Sequence, residues 1–176
     1  MSVNWEEIIW AGIEKLELTH SCQSEKLKQS AQDYYQQGKA FKNSGDIASA
    51  IVNFTQAIEL APDNVNAYFG RGASYSYLGK YQNSIDDFSR LVEFHPTAAN
   101  YYNRGVIYYL MKKYKKAIAN FTQAISLKPN FVASYLSIAN AYYELDNCKL
   151  AHNNYKKAKH INYQLYSHDE IGLFAQ

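Results

Sequence analysis

Five histidines, His20, His95, His152, His160 and His168, and two cysteines, Cys22 and Cys148, are the side chains best suited to holding a metal or attacking an electrophile. Their spacing argues against both roles. His152 and His160 are eight residues apart, about two helical turns, which is too far for ligands one turn apart. His95 only precedes Pro96 in a turn signal, and the cysteines match no close metal-ligand or redox spacing. Neither a triad pattern, a phosphate-cradling glycine loop nor HExxH is found. The expectation is a protein that is not an enzyme and uses no metal or cofactor. Asn53-Phe54-Thr55 and Asn120-Phe121-Thr122 spell glycosylation acceptors, but both phenylalanines fall on apolar helical slots, so both sites are discounted.

Charge offers a different kind of chemistry. Net charge is only +2, yet residues 1–100 hold eight basic against twelve acidic side chains, a balance of −4, while residues 101–165 hold ten against two, a balance of +8. Lys112, Lys113, Lys115 and Lys116 form one basic group and Lys156, Lys157 and Lys159 another. The ordinary reading of such lysines is a solvated outer face. The functional one is a footprint for an acidic protein, RNA or an anionic membrane surface.

The elements that position these residues follow from an internal period. NFTQAIELAPDN at residues 53–64 returns as NFTQAISLKPN at residues 120–130. Gly38, Gly72, Gly105 and Ala139 are separated by 34, 33 and 34 residues, and Pro62, Pro96, Pro129 and Tyr163 keep the same step. The missing residue lies between Pro96 and Gly105, in a turn, where a deletion costs least. Each unit has two halves of helical spacing. The slots hold Tyr34, Gly38, Phe41, Ala50, Phe54 and Ala57, then Tyr68, Gly72, Tyr75, Ser84, Phe88 and Leu91. They continue as Tyr101, Gly105, Tyr108, Ala117, Phe121 and Ala124, then Tyr135, Ala139, Tyr142, Ala151, Tyr155 and Ala158. Small residues let paired helices approach and large rings fill the gaps.

A helix-turn-helix of this length with aromatic, small and proline residues at these offsets resembles the tetratricopeptide repeat (TPR) family. The resemblance covers residues 31 to about 165, and Ala139 and Tyr163 mark the fourth unit as an edge repeat. It implies an all-α, right-handed superhelical solenoid of about four TPR units, at 31–64, 65–97, 98–131 and 132–165. Residues 1–30 are expected to form an N-terminal amphipathic helix and connector, and residues 166–176 a short C-terminal capping helix. In the first, Trp5, Ile8, Ile9, Gly12, Ile13 and Leu16 share one face. This helix either covers the end of the array, docks on it and occupies its groove, or serves in dimerisation or regulation. At the other end Ser167 and Glu170 read as a capping box before Ile171, Leu173 and Phe174. Apolar surface left there would favour a homo-oligomer through the terminal helices.

The resemblance also implies a concave groove lined by the first helix of each unit. The partner-binding candidates on its slots are Tyr35, Lys39, Phe69, Tyr77, Tyr102, Asn103, Val106, Tyr109, Leu136, Asn140 and Tyr143. Some relatives grip a chaperone's acidic C-terminus with a clamp of lysine, asparagine and arginine. Here Tyr35, Lys39, Gly70, Ala99 and Asn103 stand on those slots, so the cationic fork that carboxylate recognition needs is missing. The expected function is a non-enzymatic scaffold, adaptor or assembly factor holding an apolar or amphipathic segment of a partner protein or peptide. The alternative is an accessory protein binding a polyanion through the basic C-terminal repeats. An opening of MSVNWEEIIW carries acid where a signal peptide carries base. With only two cysteines, a cytoplasmic location is expected.

Overall fold

The computed structural model describes the backbone of residues 5–173 and the side chains of residues 23–163. Among them the chain forms eight α-helices and no strand: α1 (Trp5–Ser44), α2 (Ile47–Leu60), α3 (Val65–Tyr77), α4 (Tyr81–Phe94), α5 (Ala98–Leu110), α6 (Tyr114–Leu127), α7 (Val132–Tyr143) and α8 (Cys148–Leu173). The class is all-α, with helix-turn-helix repeats in series as in helical solenoids. Two compact units divide between Arg71 and Gly72, inside α3.

The turns repeat as faithfully as the helices. Within each repeat the two helices are joined through one residue with left-handed backbone: Gly45 (φ 88°), Gly79 (φ 70°), Lys112 (φ 58°) and Asp146 (φ 56°). At the last three the helix ends in the same pair of bonds, for example Lys112 N–H to the Tyr109 carbonyl and Lys113 N–H to the Tyr108 carbonyl, both 2.8 Å. These bonds satisfy carbonyls that the helix end would otherwise leave bare. Between repeats, proline enforces the stop by excluding helical geometry from the residue before it. Ala61, His95 and Lys128 accordingly sit at φ −139°, −142° and −140°. The connector is three residues between α4 and α5 but four between α2 and α3 and between α6 and α7, so the deletion does fall in a turn.

In the first unit Phe54 of α2 is fully buried, with Gly38 of α1 on one side and Gly70 of α3 on the other. In the second, Phe88 packs at Gly72 and Phe121 at Gly105. Burying a phenylalanine side chain stabilises by about 2–3 kcal/mol, and the glycines make that burial sterically possible. Ser84, fully buried on α4, offsets its own desolvation by donating to the Gly72 carbonyl at 2.7 Å.

Two expected core slots are exposed. Phe41 is at the margin, and Tyr155 is 56% exposed although Phe54, Phe88 and Phe121 on the same slot lie at 3% or less. The reason is positional. Phe121 has α7 following it and packs with Ile138 of that helix, whereas among the described residues no helix follows α8 to cover Tyr155.

At both ends of the described residues the chain continues an existing helix. Residues 20–30 are helical and belong to α1, which runs unbroken into the first repeat, and residues 166–173 continue α8. Ser167 thus lies within a helix and caps no separate one. The apolar face of residues 3–18, including what it covers, lies outside the described side chains, as do His20, Cys22 and His168.

Candidate interaction face

Between α5 and α7 lies a recess of about 200 Å³ in the second unit. Tyr102, Val106 and Tyr109 line it from α5, Ser137 and Asn140 from α7, and Phe121 of α6 forms part of its wall. The aromatic walls are braced. Tyr102 lies 5.5 Å from Phe121 and 5.1 Å from Phe131 between ring centroids, both tilted, which is the range of favourable edge and offset contacts. Its hydroxyl accepts from Ser137 at the long distance of 3.5 Å. Asn140 is exposed beside these rings, so the recess offers an apolar wall with an amide at hand.

Four of the expected groove residues, Tyr102, Val106, Tyr109 and Asn140, therefore meet at one place. Phe121 and Ser137 were not among them. Phe121 reads as pure core from its slot, and only the glycine opposite, by opening the helix surface, hints that its ring can also reach a recess. Leu136 borders a different depression of about 280 Å³ with Val132, Tyr155, Ala158, Lys159 and Asn162. Asn103 is half-buried and Tyr143 exposed, and neither lines the recess. In the first unit Tyr35 is half-buried with its ring 6.0 Å from Phe54, and the Lys39 ammonium lies 5.6 Å over the Tyr35 ring. Phe69 in the first unit and Tyr77 in the second are exposed.

The basic residues are all exposed, as expected of either reading. Lys112, Lys113, Lys115 and Lys116 surround Tyr114 and Leu145 in a shallow depression of about 300 Å³. Lys156 and Lys159 meet His160 and Tyr163 in another, and Lys157 lies beside them in sequence. Tyr114 donates its hydroxyl to the Glu144 carboxylate at 3.1 Å. Burial first, then this bond and the carboxylate's charge, hold the Tyr114 phenol above its ordinary value. Tyr109 is raised as well, by burial and then by Glu144.

His95, His152 and His160 are exposed and separate, Cys148 is an exposed free thiol, and no group of three or more metal-ligating side chains occurs among the described residues. Asn53 and Asn120 both bond back to carbonyls of their own helices, with Phe54 and Phe121 buried beside them. Among the described residues no helix is long and apolar enough to cross a membrane.

A small residue facing a buried phenylalanine, a left-handed turn residue and a proline stop, repeated at this period, define a helical repeat protein of the TPR class. Family models agree: TPR repeat matches residues 31–77, and Tetratricopeptide repeat matches 66–98 and again 98–131. The chain belongs to the tetratricopeptide repeat family. It is 36% identical over 73 residues to Uncharacterized protein MJ0572 of Methanocaldococcus jannaschii, covering 40% of this chain and 85% of that one. It is 42% identical over 57 residues to Hsp70-Hsp90 organizing protein 3 of Arabidopsis thaliana, covering 32% of this chain. The match spans about a tenth of that relative's length, at 10%. Among solved structures, MamA superposes with a TM-score of 0.75 at 25% identity, over 82% of this chain and 87% of that one. MamA 41-end from Desulfovibrio magneticus RS-1 gives 0.72 at 21% identity, over 93% and 98%, a likeness of fold alone.

Proposed function

We propose that this protein is a non-enzymatic interaction scaffold whose α5–α7 face holds an apolar side chain from a segment of a partner protein. The observation that carries the reading is the recess between Tyr102, Val106, Tyr109 and Phe121, with the Asn140 amide beside it. Its volume of about 200 Å³ suits a leucine, methionine or phenylalanine side chain. Asn140 can donate to and accept from the backbone on either side of that residue. The pattern is that of an anchor in a preformed pocket, where a few buried contacts dominate affinity.

Two relatives are named Hsp70-Hsp90 organizing proteins, but carboxylate capture is not the chemistry expected here. A side chain on Gly70, where the clamp's second asparagine would stand, would begin 2.6 Å from the Phe54 ring. By calorimetry a chaperone tail peptide is expected to show negligible binding through its terminal carboxylate, and micromolar binding that is lost when that carboxylate is amidated would overturn this.

The direct test is to pan a random twelve-residue peptide library on the full chain and on Val106→Trp, whose indole would fill the recess. Peptides carrying one large apolar residue and lost on the variant would support the reading. Binders that tolerate Val106→Trp, or no binders at all, would end it.

A further inference from the structure

We infer that the segment held at this recess is acidic on the side that runs toward the α5–α6 turn, because the recess continues there into a lysine shelf. The inference rests on the proposed role of the recess and adds the partner's charge to it. Tyr109, one wall of the recess, meets Tyr114 edge-on with ring centroids 5.3 Å apart at 62°. Tyr114 in turn lies among Lys112, Lys113, Lys115 and Lys116. A chain leaving the recess over these two rings therefore runs toward the lysines that flank Tyr114.

The charges on this shelf are unequal in availability. The Lys116 ammonium lies 5.6 Å over the Tyr108 ring, and the Glu144 carboxylate is engaged by the Tyr114 hydroxyl. Among the described residues none of the four lysines is in an ion pair. Lys112, Lys113 and Lys115 are thus left to a partner, in a stretch whose surroundings, residues 101–165, carry a balance of +8. Lys112 also occupies the left-handed position of its turn, which Gly45 and Gly79 fill in the first two repeats. A lysine there costs backbone energy that a glycine would not. Such a surface would raise the association rate of an acidic segment and select its direction, while the recess supplies the anchor.

The test uses two synthetic peptides with blocked ends, so that no terminal carboxylate contributes. One carries a single leucine or phenylalanine from a panned binder followed by three aspartates or glutamates, and the other has those acids replaced by the amides. Binding is followed by fluorescence anisotropy at low and high salt, on the wild type, on Lys112→Gln/Lys113→Gln/Lys115→Gln and on Val106→Trp. The acidic peptide should bind about tenfold more tightly than the amide peptide at low salt, an advantage lost at high salt and on the triple variant. Equal affinity of the two peptides, with both still lost on Val106→Trp, would overturn the charged shelf and leave the recess standing. Binding that survives Val106→Trp would overturn both. An oligouridylate that outcompetes the acidic peptide on the wild type would assign the shelf to nucleic acid and overturn the inference.

Discussion

The Phe121 ring stands where a side chain on Gly105 would begin: a Cβ there would lie 2.7 Å from Phe121 Cε1, a distance that real Cβ atoms do not tolerate. One pair of residues thus joins α5 to α6 and also sets one wall of the recess.

Gly105→Ala should destabilise the protein by about 1–3 kcal/mol, the usual cost of overpacking. Helix propensity alone predicts the reverse, a gain of up to about 1 kcal/mol. The sign of the change in urea midpoint decides which effect wins. Because Phe121 is fully buried and braced by Tyr102, it has little room to yield.

Phe121→Ala and Tyr155→Ala delete rings on equivalent slots and should differ sharply. The first should cost about 3–5 kcal/mol as a core truncation, the second less than about 1 kcal/mol because Tyr155 is 56% exposed. Equal losses in chemical denaturation would mean that Tyr155 is covered in solution.

Arg104 of α5 donates from Nε to Asn120 Oδ1 of α6 at 2.8 Å and from Nη1 to Ser89 Oγ of α4 at 3.3 Å. Arg71 makes the corresponding reach to Thr55 at 3.2 Å in the first unit. A lysine lacks the fork needed for both bonds of Arg104. Arg104→Lys should therefore lower stability by about 1–2 kcal/mol, and amide exchange in α4 and α6 should accelerate together.

Asp46 caps α2 by accepting from Ser49, whose backbone N–H lies 3.0 Å away. The Ser49 side chain and then its backbone N–H hold the Asp46 carboxyl below the ordinary value of 3.8. Its contribution is therefore present above that value and is lost as pH falls through the lower folded-state one. Asp46→Asn keeps an acceptor at the cap but cannot titrate. Urea midpoints measured at descending acid pH should fall more gently for the variant than for the wild type, and parallel curves would refute a stabilising contribution from the Asp46 charge.

Lys112→Gly separates conformation from charge. Removing the left-handed strain at φ 58° should raise stability by about 1 kcal/mol in thermal or urea unfolding. The same change should weaken the acidic peptide at low salt.

By itself the sequence determined the repeat. Gly38, Gly72 and Gly105 against Phe54, Phe88 and Phe121, with prolines closing each unit, are local rules written at a fixed period. Helix pairing, turn position and the deletion after Pro96 follow from them because each repeat solves the same short-range packing problem. The continuity of α1 and α8 was less legible. A polar stretch such as residues 20–30 satisfies a helix and a connector equally well on composition, and no glycine or proline marks a break there. What only the tertiary structure decided was which slots line a recess. Groove slots recur in every unit, yet the recess formed where Phe121 of one helix meets Ser137 and Asn140 of the next repeat. Likewise the slot that buries Phe121 leaves Tyr155 exposed, because burial depends on the neighbour that follows and not on the residue that occupies the slot.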